Sequence, residues 1–206
     1  NLPLMCQPCS PPAGRRDPLR PGRLPGWGRL SLVLVMVLTV LARATPIAGS
    51  APKEPAVKAA FLYNFTKFID WPAAAFERPD SPFIIAMLGP TPIAAELGQA
   101  VRGRKVGGRE VVVRLCRTAT EAAVAQMVFV VADDATVREL LQRVDGRPVI
   151  LVGESERFLR QGGTIAFLFE ADNKVRFAIN MTAADRAGLR ISAQLQKLAK
   201  SILRGN

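Results

Sequence analysis

The chain has 206 residues, 49% of them hydrophobic, and a formal net charge of +11, which suits one domain with appendages. It contains no histidine, and this excludes His-dependent triads, histidine general bases and the commonest zinc ligand. Cys6 and Cys9 lie near the start, so Cys116 stands alone in the body of the chain, where it reads as a small apolar residue ending a strand.

The first 44 residues read as a secretory signal. Six arginines against Asp17 give this stretch +5 of the total charge. The nearly unbroken apolar run Leu30–Leu41 follows, then Ala42-Arg43-Ala44. A basic region, a short apolar region and small residues at the end are the three parts of an export signal. A membrane span needs about 20 apolar residues, more than this run provides. Residues 45–54 read as a linker and 55–204 as one domain.

Val57, Phe61, Phe65 and Phe68 predict a buried helix over Glu54–Ile69, stopped by Pro72. Strands are then expected at Pro82–Leu88, Arg109–Leu115, Met127–Ala132 and Pro148–Val152. Helices are expected between them, at Pro92–Val101, Thr118–Ala125 and Thr136–Val144, with one or two turns at Glu154–Arg160. Apolar strands alternating with amphipathic helices argue an α/β fold, a mainly parallel central sheet flanked by helices. Thr164–Glu170 and Lys174–Met181 instead alternate around Ala171-Asp172-Asn173, which predicts a C-terminal antiparallel hairpin. A helical turn at Thr182–Asp185, ended by Gly188, precedes a terminal helix from Ser192. Its inner stripe is Ile191, Leu195, Leu198, Ala199 and Ile202.

The catalytic motifs are weak. Gly153-Glu154-Ser155-Glu156-Arg157 sits like a nucleophile elbow, but the last glycine is missing and no histidine exists to activate Ser155, so a helix cap is the simpler reading. Gly107-Gly108 and Gly162-Gly163 fit no phosphate-loop spacing. Asp133-Asp134 ends a strand where α/β sheets often bind ligands; capping of the next helix is again simpler than Mg²⁺. Basic residues are dispersed, with small clusters at Arg102–Arg109 and Lys197–Arg204, which argues against nucleic acid. Lys67, Asp70 and Trp71 close the first helix, and Arg176, Asn180 and Arg190 lie on or after the hairpin. Polar groups beside large apolar ones suit recognition of a partner.

Three blocks carry a resemblance. Val57–Pro72 (VKAAFLYNFTKFIDWP), Ile150–Ser155 with Gly162-Gly163, and Val175–Asn180 with Ala187–Ser192 and Leu195-Leu198-Ala199 closely resemble the YfiR family. The resemblance spans residues 55–204. It implies a periplasmic regulator, not an enzyme, that restrains an inner-membrane diguanylate cyclase by binding its periplasmic part and so lowers cyclic-di-GMP output. A sensor kinase is the other partner the family suggests. Where family members often carry a Cys-His pair, this chain has Ala125-Gln126, and Cys116 has no companion for an internal disulfide.

The expected partner surface is Lys67, Asp70, Trp71, Arg176, Asn180 and Arg190, with no cofactor, metal or catalytic residue. A homodimer stays open. The alternative is a periplasmic protein that captures a small ligand at the carboxyl ends of the strands for a sensor histidine kinase or a transport system. Export is expected to remove the signal near Ala44. N-terminal sequencing of the exported protein should begin at or close to Thr45; a mature chain that keeps Leu30–Leu41 would mean a membrane-tethered protein.

Overall fold

A computed structural model describes residues 53–169 and 174–205; the proposed signal and the turn residues Ala171-Asp172-Asn173 lie outside them. Helix α1 spans Glu54–Phe65, with Pro55 in its first turn, where the missing N–H costs nothing. It ends four residues earlier than the sequence pattern suggests. Thr66 closes it, its hydroxyl donating to the Tyr63 carbonyl at 2.6 Å. Phe68 therefore leaves the helical face, and Ile69–Asp70 become a short strand, β1.

The central elements follow the expected alternation. They are β2 (Phe83–Leu88), α2 (Ile93–Ala100), β4 (Arg109–Cys116), α3 (Ala119–Ala122), β5 (Met127–Val130), α4 (Asp134–Val144), β6 (Ile150–Gly153) and α5 (Glu156–Arg160). The hairpin is β7 (Ile165–Phe169) with β8 (Val175–Asn180), joined in register from Ile165↔Ile179 to Phe169↔Val175. Helix α6 (Met181–Arg186), β9 (Arg190–Ile191), α7 (Ala193–Leu198) and β10 (Ser201–Leu203) complete the chain.

Besides β1 and β9, two further strands were not foreseen. β3 (Lys105–Val106) forms a tight hairpin onto the start of β4. The terminal helix stops at Leu198, and the chain straightens into β10 beside β8. Hence Leu198 and Ile202, expected on an inner stripe, are 63% and 37% exposed, while Ile191 is buried on a strand. An α-helix would have carried the tail away from β8; as a strand it satisfies that strand's free edge.

The large sheet runs β10-β8-β7-β6-β5-β2-β4-β3. The neighbours from β7 through β6, β5 and β2 to β4 are all parallel. The edges are mixed: β7–β8 and β3–β4 are antiparallel, and β10 returns parallel to β8. A separate two-stranded ribbon pairs β1 with β9, Ile69↔Ile191 and Asp70↔Arg190.

Because side chains alternate across a strand, the sheet has two cores. On one face Phe83, Ile85, Met87, Phe129, Phe167 and Phe177 pack under α1 and α2. On the other, Ala86, Leu88, Val128, Val130 and Leu151 meet α3, α4 and Phe158 of α5. The small ribbon therefore lies off the sheet while β1 stays tied to the first core through Ile69.

The order β4-β2-β5 reverses direction between β2 and β5. At that point the chain after β2 passes very close to the chain after β5. Gly89 has φ +95°, and a Cβ placed on it would lie 2.0 Å from the Val131 carbonyl oxygen. Glycine alone suits both the angle and the contact. Gly89→Ala should lower stability by about 2 kcal/mol or more, since backbone strain and a backbone clash add. Denaturant titration measures it; a loss below about 0.5 kcal/mol would mean that the approach relaxes freely.

Candidate functional site

Two places near the ends of the first helix carry polar chemistry, one at each end of the sheet. The crevice at the carboxyl ends of β2, β5 and β6 is the usual ligand position in such sheets. Here it is bordered by Glu54, Lys58, Thr91, Val131 and Glu154 and encloses about 280 Å³. Lys58 is 8% exposed and reaches into it from α1. Its ammonium lies 2.5 Å from a carboxylate oxygen of both Glu54 and Glu154. Burial alone would depress the lysine; hydrogen bonds and attraction from Glu154 and Glu54 outweigh it and raise the pKa.

The nucleophile-elbow segment is spent on structure. Ser155 caps α5 by accepting from the Phe158 amide at 3.1 Å, and Glu154 pairs with Lys58. Asp133 caps α4 by accepting from the Thr136 amide at 2.8 Å, which holds its carboxyl below the usual range. Asp134 is engaged by Arg157 and by Gln161. Cys116 is a free, buried thiol at the end of β4, and burial, then Glu121, push its pKa up. It is poorly suited to nucleophilic work.

The second place is a groove of about 690 Å³ at the amino end of β2. Trp71 stands edge-on to Phe83, ring centroids 4.9 Å apart, and its indole N–H donates to the Thr66 carbonyl at 3.2 Å. Phe76 forms another wall, with the Arg109 guanidinium 3.7 Å from its ring centre. Arg109 is itself fixed by donation to the Ser81 carbonyl at 2.7 Å and the Arg78 carbonyl at 3.1 Å. Lys67 and Lys105 rim the groove, and Asp70 is its acid. Lys67 also lies over Tyr63, 4.1 Å from the ring centre. Half-buried aromatic surface under fixed cations is suited to an anionic or carboxylate-bearing partner with an apolar anchor.

The structure gathers four of the six residues singled out in the sequence. Lys67, Asp70 and Trp71 line the groove, and Arg190 stands opposite Asp70 in the ribbon. The other two lie elsewhere. Arg176 and Asn180 share the strand face of Ala178, which packs with Leu159 of α5, whereas α1 covers the Phe177 face. Asn180 is also committed: it accepts from the Ala183 amide to cap α6 and donates to the Leu159 carbonyl.

Sequence reasoning gave no site role to Lys58, Phe76 or Gln126, and it read Arg109 only as part of a dispersed basic cluster. Only the Glu54–Lys58 spacing of four was a readable signal. Gln126 is buried just before β5; its oxygen accepts from the Ile84 amide at 2.8 Å and its nitrogen donates to the Ala75 carbonyl at 2.7 Å. It thereby ties the turn that carries the Phe76 wall to the sheet.

These features define an α/β domain with a doubly wound centre and a mixed edge, its carboxyl-end crevice entered by its own first helix. The chain belongs to the YfiR/HmsC-like family (DUF4154), which matches residues 55–200. No curated protein matches it. Among solved structures, a conserved domain protein from Vibrio cholerae O1 biovar eltor str. N16961 is similar at 12% identity and TM-score 0.45, over 70% of this chain and 60% of that one. The ABC domain in complex with L-Trp from Streptococcus pneumonia is similar at 13% and TM-score 0.44, over 72% and 60%. The chain thus spans 60% of the length of either structure.

Lys58→Met should cost about 1–2 kcal/mol at neutral pH, because it leaves two facing carboxylates without their cation. Lys58 has a raised pKa, so its contribution is complete below the ordinary lysine value of about 10.4 and disappears as pH climbs through the higher folded value. Stability curves of parent and variant should stay parallel from pH 7 to about 10 and converge above it. Coincident curves at pH 7 would show that the ion triad contributes nothing.

Proposed function

We propose that this protein is a periplasmic regulatory subunit that binds the periplasmic part of an inner-membrane signalling protein, of the diguanylate cyclase type, and restrains it. Family membership over residues 55–200 is the observation that carries this reading. The signal-like first 44 residues support export, and among the described residues no helix is long and apolar enough to cross a membrane. The groove around Trp71 is the proposed contact, with Lys67, Asp70 and Arg190 as its polar rim. Arg176 and Asn180, on the other face of the sheet, would not share that contact.

A solute receptor using the carboxyl ends of the strands finds less support. The crevice at the switch point between β2 and β5 is small and already holds the Lys58 side chain between two carboxylates.

Lys67→Glu is the cleaner probe than Trp71→Ala, because Trp71 packs on the core residue Phe83. The variant should fold, reach the periplasm and lose tenfold or more in affinity for the membrane partner, about 1.4 kcal/mol. Cyclic-di-GMP in cells should rise. Arg176→Glu serves as the opposite-face control and should bind as the parent does. If Lys67→Glu binds normally while Arg176→Glu fails, the contact lies on the hairpin face.

A further inference from the structure

We propose that the outer edge of β4, with the groove between it and α2, accepts an extended acidic peptide segment as an additional strand. The edge is open. β4 pairs with β2 from Val111 to Cys116 on one side, but on the other it meets only Lys105 and Val106 of β3, opposite Glu110 and Arg109. The Val111 amide still finds the Arg104 carbonyl at 3.1 Å. Beyond it, no strand among the described residues covers the edge as far as Cys116.

In parallel pairing, a residue's N–H and C=O point to the same side, and successive residues alternate sides. The Val111 amide faces β3, so Val113 and Leu115 present theirs outward, while the Cys116 carbonyl points inward and accepts from the Gly89 amide. Such a row of free donors and acceptors is a template for an added strand.

The side chains beside that edge form a receptive surface. Val113 and Leu115 lie on the α2 face of the sheet, and Leu115 is 72% exposed. With Ala94, Ala95 and Gly98 of α2 they line a groove of about 810 Å³, more apolar than polar. The helix offers only small residues there, which leaves room for the alternate side chains of an added strand. A Cβ on Gly98 would meet nothing within 4 Å.

Charge selects the occupant. Arg102, Arg104, Lys105, Arg114 and Arg117 are exposed around this edge, against Glu96, Glu110 and Glu121. Of these acids, Glu121 already accepts from the Arg117 amide. A second copy adding antiparallel through the same edge would set Arg114 near Arg114 of its twin, with like charges unrelieved. A segment with apolar residues toward α2 and carboxylates toward Arg114 meets complementary chemistry on both faces. Lys105 also rims the Trp71 groove, but the linings of the two grooves share no residue, and this site does not rest on the role proposed for the other.

The test uses the purified protein and two fluorescent octapeptides, one alternating valine with glutamate and one alternating valine with lysine. Anisotropy should show the glutamate peptide binding at least tenfold more tightly than the lysine peptide. Hydrogen exchange should slow at the Val113 and Leu115 amides when it binds. Gly98→Leu fills the groove and favours the helix, so it should melt no lower than the parent and weaken the glutamate peptide tenfold or more. Leu115→Pro removes an outward amide, at an edge position where proline is tolerated, and should weaken it similarly. Equal affinity for both peptides, no binding of either, or full binding by a folded Gly98→Leu protein would overturn the proposal. Self-association of the parent that Gly98→Leu abolishes would overturn it too, by showing a second copy in the groove.

Discussion

The packing of one helix against a distant hairpin organises this molecule. Phe65 of α1 lies 5.8 Å from Phe167 of β7 and 5.1 Å from Phe177 of β8, centroid to centroid. Phe61 reaches the same two rings at 6.1 and 5.6 Å. Phe129 of β5 joins from the middle of the sheet. Aromatic groups of this size dominate core energetics, and their edge-on or offset contacts fix orientation as well as burial. The beginning of the domain is thereby locked over its end, with the parallel strands between.

From that seat the helix serves both ends of the sheet. Its first turns deliver Lys58 to the carboxyl-end crevice, where Glu54 and Glu154 make its burial tolerable. Its far end, closed by Thr66, turns the chain into β1 and swings Trp71 onto Phe83. The place where open α/β sheets usually take a ligand is therefore internally occupied, and the open aromatic surface lies at the opposite end.

Buried polarity is fully spent on architecture. Among the described residues no buried side-chain nitrogen or oxygen lacks a partner. Gln126 bridges two backbone groups from separate segments, and Asn180 caps one helix while holding the carbonyl of another. Thr164 supports β6 from below through the Leu151 amide. An unpaired polar group in such places would cost about 1–3 kcal/mol, so these residues fix which loops sit where.

The sequence by itself determined the α/β class, the four parallel strands, the hairpin and the capping roles at Asp133 and Ser155. Each rests on a local rule: an apolar run bounded by Gly or Pro, a period of two, or an oxygen one step before a helix. It also marked Lys67 and Trp71 beside each other, because they are neighbours in the chain. Tertiary structure decided the rest. Helix α1 ended at Phe65 because β1 could pair with β9, more than a hundred residues on, and the tail became β10 because β8 had an edge to satisfy. Arg176 and Asn180 parted from the Trp71 groove because strand alternation sends them to the α5 face. Lys58 and Glu154 met across 96 positions. Local patterning fixes which residues form an element; only long-range pairing and packing fix what that element faces.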